Sequence, residues 1–272
     1  MNDPRPPASQ AQLADPHSLY QRAVQAPQSE LRFVGETFEA LRGRTPLSLR
    51  EDFCGTALAA CHWVAQSPAH HALAVDLDPA VLDWAAAHNR AALSRAERAR
   101  LLLVQGDVRE LATGPLDVII ALNFSYWIFT ERAVLLDYFR RLHEQLVDDG
   151  ILFLDIFGGA SAHADTIEVR DIGGGVSYEW QQLNYEPISA EMDCQIHFAF
   201  ADGSRLERAF NYHWRLWGAR ELRELLAEAG FAATRVYRQA FDAQSDEPID
   251  EYIADAGAAD CDCYLAYLLA LK

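Results

Sequence analysis

The strongest constraint on the fold is a strand, a tight turn, a helix and a second strand that follow one another without a break. The run Leu49–Leu58 reads as a strand that ends in acids, then a turn, then the start of a helix. Ala74–Pro79 reads as the next strand, with Asp76 at its end. In this layout a turn opens onto a helix N-terminus and an acid reaches ribose hydroxyls. Glu51 and Asp76 are separated by about the 20 residues expected. The pattern therefore predicts a nucleoside-binding βαβ unit.

Composition and charge limit the partners. Half of the 272 residues are hydrophobic, so a sizeable core can form and general disorder is excluded. The formal net charge of -17 argues against nucleic acid, which is bound through clustered Lys and Arg. A small neutral or cationic substrate fits this charge better. The length suits one large α/β domain with an insertion.

Cysteines and apolar runs indicate the compartment. An odd number of cysteines, irregularly spaced, does not make a disulfide framework, and a reducing, cytoplasmic setting is the simpler interpretation. No apolar run approaches the roughly 18 to 20 residues that span a bilayer, so no membrane partner is expected. The first dozen residues read as a tail. The spacing Cys261-x-Cys263 is a weak metal signal, and we expect no metal site.

The chain alternates strands and helices up to about residue 158. Helical periodicity covers His17–Val24 and a second segment that Ser29 is expected to cap. The elements that follow are strand 48–52, helix from 56, strand 71–76, helix 79–92, strand 100–105, strand 116–122, helix 131–147 and strand 151–157. Strict alternation of this kind predicts a mostly parallel sheet that is covered on both faces.

From about residue 160 the periodicity changes to two. Aromatic and β-branched residues alternate with polar ones, and Asp202-Gly203 separates two such runs, which is a strong hairpin signal. We expect an antiparallel insertion of three or four strands, whose exposed edge would let two copies pair as a homodimer. A helix over 219–229, a strand over 233–238, a solvated acidic connection over 242–260 and a strand over 263–271 complete the chain.

The order of elements and the run Glu51-Asp52-Phe53-Cys54-Gly55-Thr56-Ala57 resemble class I S-adenosylmethionine-dependent methyltransferases. The run matches that family's acid followed by x-Gly-x-Gly-x-Gly, with Phe53 and Ala57 in place of the outer glycines. We expect Ala57 to start the helix without strain. The resemblance implies a Rossmann-like, seven-stranded, mostly parallel sheet with helices on both faces and an antiparallel last strand. It divides the chain into an N-terminal helical cap (1–45), a cofactor-binding core (46–158), an antiparallel β insertion (159–217) and a closing part (218–272).

The resemblance also implies the cofactor, S-adenosyl-L-methionine, with S-adenosyl-L-homocysteine as its product. Asp76 would bind the ribose while Asp78 caps the helix at Pro79. Gln105-Gly106-Asp107-Val108 resembles the adenine site, although Asp107 could instead cap a short helix. The full set of residues implied to bind the cofactor is Tyr20, Arg22, Glu51, Phe53, Cys54, Gly55, Asp76, Leu77, Asp107, Val108 and Asn123.

Acceptor residues are expected beyond the strand at 116–122, because ligands of parallel sheets sit past the carboxyl ends of the strands. Asn123 and Tyr126 are candidates to position the acceptor, with a scaffold role as the alternative. Further acceptor contacts are expected from Tyr126, Trp127, Trp180, Tyr212 and Trp214, all of which packing would explain equally well. Related enzymes often carry a substrate lid at this insertion, so the insertion and the N-terminal helices are expected to form the acceptor pocket.

Methyl transfer from a sulfonium is an in-line displacement that depends mainly on proximity and orientation. A base is needed only where the acceptor must lose a proton, and His163, His197 and His213 are candidates without a visible partner. We expect a small-molecule N, O or S acceptor. A protein side chain as acceptor and a non-catalytic cofactor-binding scaffold are the alternatives. A nicotinamide-dependent oxidoreductase would need a fuller glycine turn and, in its lysine-assisted form, a lysine other than Lys272.

Overall fold

The computed structural model describes residues 8–241, 248–254, 257–258 and 262–272. The chain divides into two compact units. The smaller unit contains the residues up to Gln25 together with His163–Leu216, and the larger unit contains Ala26–Ala162 and Trp217–Lys272.

The helices of the described residues are mostly short. They are α1 (Gln10–Leu13), α2 (Pro16–Val24), α3 (Pro27–Arg42), α4 (Leu58–Gln66), α5 (Pro79–Ala87), α6 (Asn89–Ala92), α7 (Arg95–Arg98), α8 (Arg132–Glu144) and α9 (Ala219–Glu228), with 3-10 turns at Ser125–Ile128 and Ala160–His163. None of them, within the described part of the chain, is long and apolar enough to cross a membrane.

The strands fall into two sheets. They are β1 (Ser48–Asp52), β2 (His71–Asp76), β3 (Leu101–Gln105), β4 (Leu116–Ala121), β5 (Leu146–Gly158), β6 (Thr166–Asp171), β7 (Val176–Glu186), β8 (Glu191–Phe200), β9 (Arg205–Arg215), β10 (Ala233–Phe241), β11 (Pro248–Ala254) and β12 (Tyr264–Leu271).

The larger unit is built on one mixed sheet. Its strand order among the described residues is β11-β10-β12-β5-β4-β1-β2-β3. The five strands β1 to β5 run parallel, whereas β12 is antiparallel to β5 and β10. The Rossmann-like, mostly parallel sheet with its antiparallel last strand is confirmed. The carboxyl ends of β1, β2 and β4 therefore share one edge, where a ligand of this kind of sheet binds.

The strand count is a correction, because eight strands form the sheet where seven were predicted. The additional strand, β11, lies within the segment 242–260 that was predicted to be an acidic connection. The acidic residues of this segment suggested a solvated loop, but its Tyr252 packs against two other aromatic rings. The Tyr252 ring centroid lies 4.3 Å from that of Phe33 and 5.4 Å from that of Tyr267. Residues 242–247, 255–256 and 259–261, including Cys261 of the weak metal signal, lie outside the described residues.

The core of the larger unit lies between the sheet and its helices. Leu49, Val118, Ile120 and Phe153 of the central strands and Trp63 of α4 are at most 1% exposed. Strands buried on both faces read as near-continuous apolar runs, which explains why β4 and β5 were predictable from sequence. Strand β1 instead carries Arg50, Glu51 and Asp52, all of them buried. The core holds β1, β2 and β4 in register, so their carboxyl ends have fixed positions.

Several helix boundaries differ from prediction. The helix predicted from residue 56 begins at Leu58, and the helix predicted over 131–147 ends at Glu144, so that β5 begins at Leu146. Helix α3 begins at Pro27, which suits a first helical position because proline lacks an N–H, and Ser29 donates its hydroxyl to the Ala26 carbonyl instead of capping. The predicted helix 79–92 is interrupted at His88. A short helix capped by Ser9 lies in the predicted tail. The predicted cap at Asp78 is confirmed, since its carboxylate accepts the Ala80 N–H at 2.8 Å.

The smaller unit is a four-stranded antiparallel sheet with α1 and α2. The strand order is β6-β7-β8-β9, and Asp202 and Gly203 lie in the turn between β8 and β9, as predicted. Leu19 of α2 packs with Tyr178, Ile196 and Phe198 of the sheet. The predicted cap 1–45 is divided, because α3 belongs to the larger unit. Pairing of two copies through a sheet edge stays a prediction.

Candidate functional site

The backbone of the turn after β1 explains why the methyltransferase pattern has glycine at three positions. Phe53, Gly55 and Ala57, which occupy its three glycine positions, have φ of 54°, 51° and 52°. Left-handed backbone costs an L-residue roughly 1–2 kcal/mol, and glycine adopts it freely. The expectation that Ala57 starts the helix without strain is therefore wrong: Ala57 is the left-handed N-cap residue of α4. This strained backbone lies directly where the βαβ unit would meet a ligand.

Asp76 joins this turn to the end of β2. Its Oδ2 accepts the Gly55 N–H at 2.7 Å and its Oδ1 accepts the Asp78 N–H at 3.0 Å. Each carboxylate oxygen has a further lone pair, so hydrogen bonds from two ribose hydroxyls remain compatible with these contacts. Leu77, between the two acids, is 66% exposed and presents an apolar side chain beside Asp76. The structure thus brings Gly55, Asp76 and Leu77 together, and their contact with a cofactor stays a prediction.

The loop after β3 is joined to the same edge, because the Gly106 N–H donates to the Asp76 carbonyl at 2.9 Å. Asp107 is held by Arg109, whose guanidinium donates to both carboxylate oxygens and lowers the pKa of Asp107. Arg109 also lies 5.5 Å from the centroid of the Phe129 ring. Sequence reasoning missed Arg109; its spacing of two from an acid in a loop was the available signal.

Phe53 belongs to an aromatic group beneath the turn. Its ring centroid lies 5.7 Å from that of Phe129 and 6.0 Å from that of Tyr138. Cys54 and Val108, also predicted to bind the cofactor, are buried, and the Cys54 N–H donates to the Val75 carbonyl at 2.9 Å. Their contact with a cofactor stays a prediction. Burial raises the pKa of the Cys54 thiol well above its usual value, which keeps it protonated.

Burial raises the pKa of four carboxyl groups among the described residues of the larger unit, Glu30, Glu51, Asp52 and Asp155. Burial raises the pKa of Glu51 to about 8, and the negative charges of Glu30, Asp76 and Asp52 act in the same direction. Glu51 accepts the Ala60 N–H at 2.8 Å, which offsets part of this effect. Burial likewise raises the pKa of Glu30 and of Asp155 to about 7. Such a concentration of carboxyls favours a cationic ligand.

Asp155 fixes the loop that follows β4. Its carboxylate accepts the N–H groups of Asn123 at 2.5 Å and Phe124 at 2.8 Å. Both residues have left-handed backbone, with φ of 57° and 54°. Two successive N–H groups in this conformation form a concave anion site, which Asp155 fills. Neither Asp155 nor Glu30 was predicted from sequence; an acid inside the apolar run Ile151–Phe157 was the signal for the former.

Tyr126 and Trp127 follow in the 3-10 turn and are fully buried. The Tyr126 hydroxyl donates to the Asp155 carbonyl at 2.8 Å, and the Trp127 ring packs 4.7 Å from that of Phe157. In this structure both side chains pack in the core. Asn123 is partly exposed at the same edge of the sheet. Contact of these three residues with an acceptor stays a prediction.

The remaining predicted residues lie in the smaller unit. The Tyr20 ring packs 4.8 Å from Phe210, and Arg22 donates to the carbonyls of Ile172 and Gly173, each at 3.0 Å. Trp180, Tyr212 and Trp214 form an aromatic cluster with centroid distances of 4.5–6.2 Å. Their cofactor and acceptor roles stay predictions.

The three histidines considered as bases also lie in the smaller unit. His197 contacts Glu207 at 2.5 Å and His213 contacts Asp193 at 3.0 Å. The His163 ring packs 4.9 Å from Tyr185. The structure therefore supplies carboxylate partners for two histidines that had none visible in sequence.

Comparison with known proteins adds a fold assignment. No protein-family model and no curated protein matches the sequence. Solved structures do match: an S-adenosylmethionine-dependent methyltransferase from Clostridium acetobutylicum has a TM-score of 0.67 at 16% identity, covering 94% of this chain and 96% of that one. CalS10, an amino pentose methyltransferase from Micromonospora echinaspora, has a TM-score of 0.62 at 14% identity, with coverage of 92% and 95%.

The sugar N-methyltransferase KedS8 from Streptoalloteichus has a TM-score of 0.63 at 17% identity, covering 95% of this chain and 93% of that one. These matches extend over nearly the whole of each chain, so the similarity of fold is not confined to the βαβ unit. The chain has the fold of class I S-adenosylmethionine-dependent methyltransferases.

Proposed function

We propose that this chain is an S-adenosylmethionine-dependent methyltransferase that acts on a small molecule. The observation that carries the proposal is the junction of the β1 turn with Asp76, where a carboxylate at a strand end holds the Gly55 N–H at 2.7 Å. A ribose-binding acid at the carboxyl end of the second strand is what this sheet uses for a nucleoside. The likeness of fold to methyltransferases over more than nine-tenths of the chain supports it.

The residues at this edge fit the cofactor. A Cβ atom built at Gly55 would meet nothing within 4 Å, so there is open space beside the turn for a ligand to approach the backbone. Asp76 would hold the ribose, Leu77 would contact the adenine, and Asp107 with the Val108 amide would hydrogen-bond the base. When bound, S-adenosylmethionine supplies a methyl group activated by its sulfonium. Burial raises the pKa values of Glu30 and Glu51, and a bound cation near them would favour their ionised forms.

The protein's part in the transfer is to hold the reacting groups in line. Asp155 holds Asn123 and Phe124 in one backbone conformation, which gives the acceptor side of the site a fixed shape. An amine is the acceptor that the carboxyl groups at this edge favour. An ammonium acceptor must lose its proton before attack, and a carboxyl whose pKa is about 7, as for Glu30 and Asp155, has the proton affinity a base requires at neutral pH. The amino pentose and sugar N-methyltransferases of similar fold support this acceptor class.

Calorimetric titration tests the proposal without knowledge of the acceptor. Wild-type protein is expected to bind S-adenosylhomocysteine and not NAD. Asp76→Ala should weaken that binding at least tenfold, because it removes the acceptor for two ribose hydroxyls. Asp78→Ala is the matched control: it removes a carboxylate two residues away that caps α5, and should leave affinity unchanged.

Absence of S-adenosylhomocysteine binding, or equal affinity in Asp76→Ala and the wild type, would contradict the proposal. If binding is as expected, an amine panel with labelled S-adenosylmethionine identifies the acceptor. Transfer to sugar hydroxyls or to protein, but to no amine, would reject the amine class while retaining the methyltransferase.

A further inference from the structure

A buried arginine lies at the centre of β1. Arg50 is 0% exposed and immediately precedes Glu51 in the turn pattern. Because side chains alternate across a strand, Glu51 points to one face, where it accepts the Ala60 N–H, while Arg50 and Asp52 point to the other. The Arg50 Nε donates to Asp52 Oδ1 at 2.5 Å. A buried charge is expensive to maintain, and an apolar pair of similar volume generally stabilises a core at least as well. Core packing alone does not account for this pair.

The other donors of Arg50 reach the loop after β3. Its Nη2 donates to the Val108 carbonyl at 3.1 Å, and its Nη1 donates to the Leu111 carbonyl at 3.4 Å and to Gln145 Oε1 at 2.6 Å. Gln145 Oε1 also accepts the Thr113 N–H at 2.9 Å and the Thr113 hydroxyl at 2.7 Å. One cation thus fixes three positions of a loop that has no regular secondary structure.

The same network reaches the turn after β1. Asp52 directly precedes Phe53, and its Oδ2 accepts the Tyr138 hydroxyl at 2.8 Å. The Tyr138 ring packs against those of Phe53 and Phe129, at 6.0 and 5.2 Å. Arg50 therefore connects the turn that would approach the ribose to the loop that would bind the base. This connection is additional to the one through Asp76, which accepts both the Gly55 N–H and the Gly106 N–H.

We propose that Arg50 is a positioning residue for recognition of the adenine base. By holding the carbonyls of Val108 and Leu111 inward, it orients the peptide groups around Asp107 and Val108 toward the base. This inference rests on the proposed function, since it presupposes a nucleoside at the site. Arg50 does not touch the ligand; its effect is on how well the loop distinguishes one purine from another.

The test compares two ligands that differ in the substituent at purine C6 and, with it, in whether N1 accepts or donates a hydrogen bond. S-adenosylhomocysteine carries an amino group there, and S-inosylhomocysteine carries an oxo group. The measured quantity is the ratio of their dissociation constants, which a general loss of folded protein does not change. Wild-type protein is expected to prefer the adenosyl ligand at least tenfold, because a loop in fixed geometry penalises the ligand that lacks the amino donor.

The principal variant is the double substitution Arg50→Met/Asp52→Leu, which removes both charges and leaves none unpaired. It is expected to reduce the preference to threefold or less. Gln145→Met disconnects Thr113 from Arg50 and should partly reduce the preference for the adenosyl ligand. This variant tests the inference if the double variant does not fold. Leu225→Ala, in the buried face of α9, lowers stability without touching the loop and should keep the wild-type ratio.

An unchanged ratio in a folded double variant, or in Gln145→Met when the double variant does not fold, would overturn the inference while leaving the proposed function intact. Failure of the wild type to bind either ligand would instead remove the proposed function and, with it, the basis for the inference.

Discussion

Replacing Glu51 with glutamine should stabilise the ligand-free protein at neutral pH. The folded protein keeps a proton on Glu51 up to a pKa of about 8, whereas the unfolded chain releases it at the ordinary value of 4.5. Folding at pH 7 must therefore reprotonate this group 2.5 pH units above its unfolded pKa, at about 1.4 kcal/mol per unit. The cost is about 3 kcal/mol. Glutamine avoids it, because it is neutral at every pH and keeps an oxygen for the Ala60 N–H.

The sign of the pH dependence follows directly. Between pH 4.5 and 8 the folded state holds more protons than the unfolded state, so wild-type stability is lost as pH rises through this window. The stability gained by Glu51→Gln should be small at pH 5 and grow by about 1.4 kcal/mol per pH unit until about pH 8.

Urea unfolding at half-unit steps from pH 5 to 8, followed by circular dichroism and fluorescence, measures the difference in stability between Glu51→Gln and the wild type. Coincident transitions from the two probes justify a two-state treatment. Glu36→Gln removes the same charge from an exposed position of α3 and should change stability by less than about 0.5 kcal/mol. A stability difference that is constant across this pH range, or a Glu51→Gln variant less stable than wild type at pH 7, would refute the reasoning.

Further outcomes are expected from the backbone and from the loop after β4. Gly55→Ala should lower the free energy of unfolding by roughly 1–2 kcal/mol, because the backbone there has a φ of +51° and no neighbouring atom would clash with the added Cβ. Gly35→Ala, inside α3, should raise the free energy of unfolding by about 0.5–1 kcal/mol. Changes of the same sign in the urea midpoints of the two variants would contradict this. Tyr126→Phe removes the bond to the Asp155 carbonyl and should reduce kcat while the Kd for S-adenosylhomocysteine is unchanged; the reverse would exclude Tyr126 from the acceptor side. Asp155→Asn places an amide NH₂ group against the N–H donors of Asn123 and Phe124, so it should lower the free energy of unfolding by roughly 1–3 kcal/mol. A variant as stable as the wild type would exclude this contact with the loop.

The sequence was sufficient to predict those elements that depend only on residues close together in the chain. The buried strands around Ile120 and Phe153 are apolar because both of their faces are covered, and this pattern can be read from the sequence without tertiary information. Strand β1 is polar apart from Leu49, and the turn that follows it predicted its position. The Asp78 cap and the Asp202-Gly203 turn are likewise determined by neighbouring residues. Strand β11 was missed because it depends on the contact of Tyr252 with Phe33, which is far away in sequence.

The sequence alone determined the order of elements, the parallel sheet and the acid at the end of β2, since these depend on periodicity and on turn chemistry within about 30 residues. Only the tertiary structure decided which acids are buried together. The raised pKa values of Glu30, Glu51 and Asp155 arise mainly from burial, and the negative charge of Glu30, which is distant in sequence from both, further raises the pKa values of Glu51 and Asp155. The connection of Arg50 to Val108 and Gln145 has the same origin, because a hydrogen bond between distant segments leaves no periodic trace in either of them.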